Sequence, residues 1–183
     1  MTAARIAPLE APFDPPVDAV LEKMGPRIAL FRTFAHNIEM ADAMNSWGSY
    51  ELSKRLSVSL RIREIVIDRV CALCRCEYEW GVHVAFFAAK AGFDDAQVRS
   101  LTHGSPSDAC WTSPAERAVL SMVDALHADA DVDDELWATL RSHFSEAQVL
   151  DLLLLAGWYH AISYAANAAR VPLEDGAPRF VDY

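Results

Sequence analysis

The twenty positions from Glu64 to His83 concentrate three thiols, four acids and one imidazole, groups that can move protons or electrons: Glu64, Asp68, Cys71, Cys74, Cys76, Glu77, Glu79 and His83. At about 100° per helical residue, Cys76, Glu79 and His83 stand at i, i+3 and i+7 and fall within roughly 60° of arc, on one face. Glu64 lies twelve residues before Cys76 and reaches the same cluster if the chain bends between two helices. Three chemistries are open to such a set. An imidazole flanked by carboxylates suits proton transfer, because its ordinary pKa of about 6.5 lets it give and take a proton near neutrality. Neighbouring thiols suit redox chemistry, in which one is oxidised and another resolves it as a disulfide. Thiolate, carboxylate and imidazole together are zinc ligands, but no repeated His or Cys pair accompanies Cys76, Glu79, His83 and Glu64, so no metal is expected there.

The surroundings of this segment bear on its ligand. Between Lys54 and Arg75 lie six basic residues and only the acids Glu64 and Asp68, a local excess that reads first as surface salt bridges and second as attraction of an anionic ligand. The acidic run from Asp124 to Glu135 reads as a solvated loop and a helix N-terminus. His36, His103, His127, His143 and His160 have no comparable company in the sequence and read as structural, and Cys110 beside Trp111 reads as packing. Trp47, Trp137 and Trp158 read as core or subunit-contact residues.

The elements that must position these groups are helices. Apolar residues recur with helical period and no stretch shows bounded strand alternation, so the fold class is all-α, with helices expected over 17–33, 38–55, 59–73, 76–91, 94–102, 113–128, 133–143 and 145–170. Ser113-Pro114 with Glu116 is an N-cap, an N1 proline and a capping-box acid; Ser145 opens the last helix similarly, and Gly92 and Asp94 mark one stop and the next start. Residues 1–16, rich in proline, read as an extended arm, and 17–183 as a single domain. A boundary near 104–113 separates two halves that read as weakly related, since Ser59 and Ser145 each precede an aliphatic helix.

Length and charge exclude other classes. The chain has 183 residues, 16 Lys plus Arg against 26 Asp plus Glu, and a net charge of −10, which opposes non-specific nucleic-acid binding. The apolar run Leu152–Tyr159 falls short of the roughly 20 residues of a membrane helix. Four cysteines, three of them crowded into six positions, are unlike a secreted disulfide framework and point to a reducing cytoplasm.

Arg63-Glu64 at the start of an aliphatic helix, then Cys76-Glu77-Tyr78-Glu79-Trp80-Gly81-Val82-His83, then Ala88 to Phe93 resemble the carboxymuconolactone decarboxylase and alkylhydroperoxidase D-like superfamily. The likeness extends less specifically over residues 25–175. The resemblance implies a multi-helix fold, trimers or hexamers, and a site centred on Glu64, Cys76, Glu79 and His83. In the peroxidase branch a second cysteine stands three positions after the first; here Glu79 occupies that place, leaving Cys71 and Cys74 as the candidates to resolve Cys76. A lowered pKa is expected for Cys76 near a helix N-terminus beside Arg75. The decarboxylase branch implies cofactor-independent proton transfer on a small anionic lactone or enol-forming acid. His83 would then be the general acid, Glu64 and Glu79 would set its protonation, Arg63 would hold a carboxylate, and Tyr78 and Trp80, with Phe86 and Phe87, would line the substrate site. A thiol peroxidase and a metal-binding or non-catalytic assembly protein are the alternatives.

Overall fold

The computed structural model describes residues 3–183, and among these the regular structure is helical throughout. Its helices are α1 (Pro15–Met24), α2 (Ala29–Phe34), α3 (Ile38–Glu51), α4 (Leu60–Leu73), α5 (Glu77–Ala91), α6 (Asp95–His103), α7 (Pro114–Asp129), α8 (Asp134–His143) and α9 (Glu146–Ala169). The capping signals act as the sequence suggests. Ser59, Ser113 and Ser145 accept from the amides of Ile62, Glu116 and Gln148, and Gly92 ends α5 in the left-handed conformation at φ 71°. The helix expected over 17–33 is instead two, because Gly25 at φ 103° and Pro26 turn the chain between α1 and α2.

Helix α4 is the axis of the molecule. Every residue from Arg63 to Cys71 is buried, and α5, α6, α7 and α9 pack around it. A helix enclosed on all sides must satisfy its polar side chains internally. Arg61 therefore pairs with Glu116 at 2.6 Å and caps the Ala91 and Gly92 carbonyls, while Arg69 pairs with Asp124 at 2.6 Å and takes the carbonyls of Leu101 and Gly104. Arg61 and Arg69 thus take the ion-pair side of the reading of the basic stretch, as ties between helices rather than attractors of a ligand.

Helix α9 is 24 residues long and, as a whole, long and apolar enough to cross a membrane, which the shorter run Leu152–Tyr159 did not suggest. Its inner stripe, including Leu152, Leu155, Ala156, Tyr159, Ile162 and Ser163, is buried in the core. Its outer stripe, from Ala147 through Leu150, Leu154, Gly157, Ala161 and Tyr164 to Ala168, is exposed. The N-terminal arm lies against the far end of α9, where the amides of Arg5 and Ile6 donate to the Ala169 carbonyl.

Candidate active site

Glu64 sits at the start of the second turn of α4, and α5 brings Glu79 and His83 opposite it. The Glu64 carboxylate is fully buried and each oxygen has one partner: Oε1 accepts from Arg63 Nε at 2.6 Å, and Oε2 lies 2.8 Å from His83 Nδ1. Arg63 is anchored in turn by the Leu52 carbonyl, at 3.0 Å, and its guanidinium stacks 4.9 Å from the Phe87 ring centre. Glu64 thus fixes the imidazole so that Nδ1 donates to it. The other nitrogen, Nε2, lies 3.1 Å from the Tyr159 hydroxyl and 3.5 Å from Glu79 Oε1. Tyr159, from the inner stripe of α9, also meets the imidazole edge-on, with ring centres 5.1 Å apart.

Burial alone would drive the His83 proton off, but the charge and hydrogen bond of Glu64, with Glu79 adding to both, outweigh it and push the pKa up to about 10. At neutral pH the ring is an imidazolium between two carboxylates. One turn further along α4, Asp68 is buried with neither oxygen hydrogen-bonded; desolvation, reinforced by the Glu64 charge, pushes its pKa well up, so it is the neutral acid of the cluster. One oxygen of Glu79 is likewise buried without a partner.

His83, Glu79 and Tyr159 form one polar patch on the wall of a cavity of about 420 Å³, with Asn45, Ser49 and Ser53 elsewhere on it and a remaining lining that is apolar, including Leu30, Phe34, Val82, Phe86 and Phe87. A second cavity of about 420 Å³ adjoins it, sharing Leu52, Ser53 and Phe87, and presents Arg63, Lys54 and Lys90. Sequence reasoning thus located Glu64, Glu79, His83, Phe86 and Phe87, and missed Tyr159.

Other residues lie elsewhere. Tyr78 is buried with its hydroxyl donating to Glu174 at 2.6 Å and accepting from the Leu30 amide, and Trp80 is packed between Phe180 and Tyr183 of the C-terminal tail. Neither lines the cavities: the Tyr78 hydroxyl is bound between Leu30 and Glu174, and the Trp80 ring is covered by the tail. Cys76 is the N-cap of α5 rather than a residue of its helical face. It is fully buried, and burial pushes its thiol up to about 11, the reverse of the lowering expected from its place beside Arg75. Arg75 itself is at φ 53°, bending the chain between α4 and α5. Cys71 is also fully buried and raised, so the thiols near Ser163 are held protonated. All four cysteines are free.

Residues 39–125, which span α3 to most of α7 and carry Glu64, Glu79 and His83, match the model of the carboxymuconolactone decarboxylase family. That stretch of the chain is similar to the carboxymuconolactone decarboxylase family, and it carries the paired helices on which the site is built. The uncharacterised protein YdfG of Bacillus subtilis (strain 168) is 29% identical over 105 residues, 56% of this chain and 69% of its own. An uncharacterised peroxidase-related protein from Silicibacter sp. TM1040 shares the fold over 98% of this chain and 99% of its own, with a TM-score of 0.76 and 20% identity. The debrominase Bmp8 does so over 93% and 92%, with a TM-score of 0.73 and 16% identity. The same fold therefore occurs in a debrominase and in peroxidase-related proteins.

Proposed function

We propose that the protein is an enzyme of cofactor-independent proton transfer, a decarboxylase-like lyase acting on a small, largely apolar ring acid or lactone that forms an enolate. One observation carries this reading: a buried imidazolium, clamped at Nδ1 by Glu64, offers Nε2 at the wall of a cavity built mainly of apolar side chains. In the reaction, the bond to the departing carboxylate breaks, carbon dioxide leaves, and the electron pair remains as an enolate. The Nε2 proton then passes to carbon and is regained from water. Glu64 is the positioning residue, and Glu79 and Tyr159 orient the transferred proton. A second anionic group of the substrate would be held in the adjoining cavity by Lys54 and Lys90, with Arg63 committed to Glu64.

The small aromatic ligand named for one relative, 2,3,4-tribromopyrrole with a variant of Bmp8, agrees in size and apolarity with what the larger cavity would admit. A thiol peroxidase is the weaker reading, since Glu79 replaces the second cysteine and Cys76 is buried and protonated. We further propose a homo-oligomer in a reducing cytoplasm; the exposed apolar stripe of α9 and the four free thiols support these two points.

The test is turnover of a panel of enol-forming ring acids in deuterated water, with carbon dioxide release and deuterium at the protonated carbon as readouts. His83→Gln and Glu64→Gln are expected to slow turnover by about 10²- to 10⁴-fold, with Cys76→Ser retaining it. Turnover that survives both substitutions, or peroxide reduction that depends on Cys76, overturns the assignment.

A further inference from the structure

Away from the cavities, on the opposite side of α9, three groups from three helices meet. Cys74 is the C-cap of α4, His127 lies in the last turn of α7, and His160 follows Tyr159 on α9. One ligand atom from each lies within 4.8 Å of the others. His127 Nδ1 and His160 Nε2 are 3.0 Å apart, and the sequence, with 33 positions between them, gave no hint of the meeting.

The protonation of the pair is fixed by geometry. His160 Nδ1 stands 2.9 Å from the Ala156 carbonyl, which can only accept, so Nδ1 carries the proton and Nε2 presents a lone pair to the cluster. A backbone carbonyl holding the distal N–H of an imidazole is the usual outer-sphere support of a metal-ligating histidine. His127 then donates from Nδ1 to that lone pair, so a proton occupies the place where a cation would sit. Cys74 is held by its own backbone, whose carbonyl accepts from Asn167 Nδ2 at 2.9 Å. The charged group beside His127 is Asp124, bound by both Arg69 nitrogens at 2.6 and 2.9 Å.

We infer that Cys74, His127 and His160 form a binding site for a borderline-soft divalent cation of the zinc type, with a fourth position open to water. One thiolate and two imidazoles are a donor set zinc accepts, and with Zn–N bonds of about 2.0–2.1 Å two nitrogens on a tetrahedral ion stand roughly 3.3 Å apart, a few tenths of an ångström from the separation seen here. His127 is exposed and the other two are half-buried, which leaves an entry path. Binding displaces the Cys74 thiol proton to solvent as the metal–sulfur bond forms, while the His127 proton moves from Nδ1 to Nε2, so one proton is released per ion. The ion joins the ends of α4 and α7 to the middle of α9.

The probe is Co²⁺ added to the reduced full-length protein, followed by Zn²⁺. One equivalent of Co²⁺ should give a thiolate-to-metal absorption band that Zn²⁺ abolishes, and Zn²⁺ should raise the thermal midpoint. Cys74→Ser should lose the band, Cys110→Ser should keep it, and His127→Gln should weaken Zn²⁺ by more than the roughly 10–100-fold that loss of an outer-sphere partner costs. His127 is at the surface, so that variant supplies the test even where Cys74→Ser disturbs packing. No band in the unaltered protein, a band that persists in Cys74→Ser, or unchanged Zn²⁺ affinity in folded His127→Gln overturns the site.

Discussion

A single carboxylate decides the state of the imidazole. Glu64 faces Arg63 on one oxygen and His83 on the other, so replacing it by its amide leaves the shape and removes the charge. In Glu64→Gln the His83 pKa should fall from about 10 toward its ordinary value, visible as a midpoint at lower pH in an NMR titration of the ring protons. The raised value also has a stability sign. The unfolded histidine titrates near 6.5, so its contribution is fully present below that pH and is lost as pH rises through about 10; unfolding at pH 8 to 11 should show this limb, and His83→Gln should lack it. Asp68 works against the fold over a different window. Its folded pKa is raised, so holding it neutral costs progressively more stability above its unfolded value near 3.8, and Asp68→Asn should gain thermal midpoint over the parent as pH climbs from 4 to 8. Glu79 and His83 were legible in the sequence because i, i+4 spacing on a helix guarantees proximity. Tyr159 was not, since it lies 76 positions from His83; the signal available was a hydroxyl on the inner stripe of an otherwise apolar helix.

Helix ends were readable because capping is local chemistry, satisfied by a side chain within three residues of the amide it serves. The break between α1 and α2 is masked in the sequence because apolar periodicity continues through the Gly25-Pro26 turn that makes it. The tail was invisible for another reason: nothing local requires residues 177–183 to cross α5. They do so at Gly81, where a Cβ would stand 2.6 Å from the Pro178 carbonyl oxygen, backbone against backbone. Gly81→Ala should therefore push the tail off α5, unseat Phe180 and Tyr183 from Trp80, and cost about 1–3 kcal/mol. Thermal unfolding together with faster proteolysis of the C-terminal ten residues would check it; an unchanged midpoint and cleavage rate would show the tail to be dispensable.

At the scale of the whole molecule, the seven outward residues of α9 from Ala147 to Ala168 follow one another at intervals of three and four, a mean period of 3.5. That is the spacing at which helices wind on a partner as a left-handed coiled coil, with Leu150, Leu154 and Tyr164 as knobs and Gly157 and Ala161 permitting close approach. Sedimentation of Leu154→Glu should show a smaller particle than the parent at equal concentration if this seam is the proposed subunit contact; identical sedimentation would place the contact elsewhere. The same helix carries Tyr159 on its inward side, one register step from the seam. Its two faces cannot shift independently, so catalytic output should track protein concentration: dilution that separates subunits would slacken the backbone from which Tyr159 reaches His83, and each active centre would work best in company.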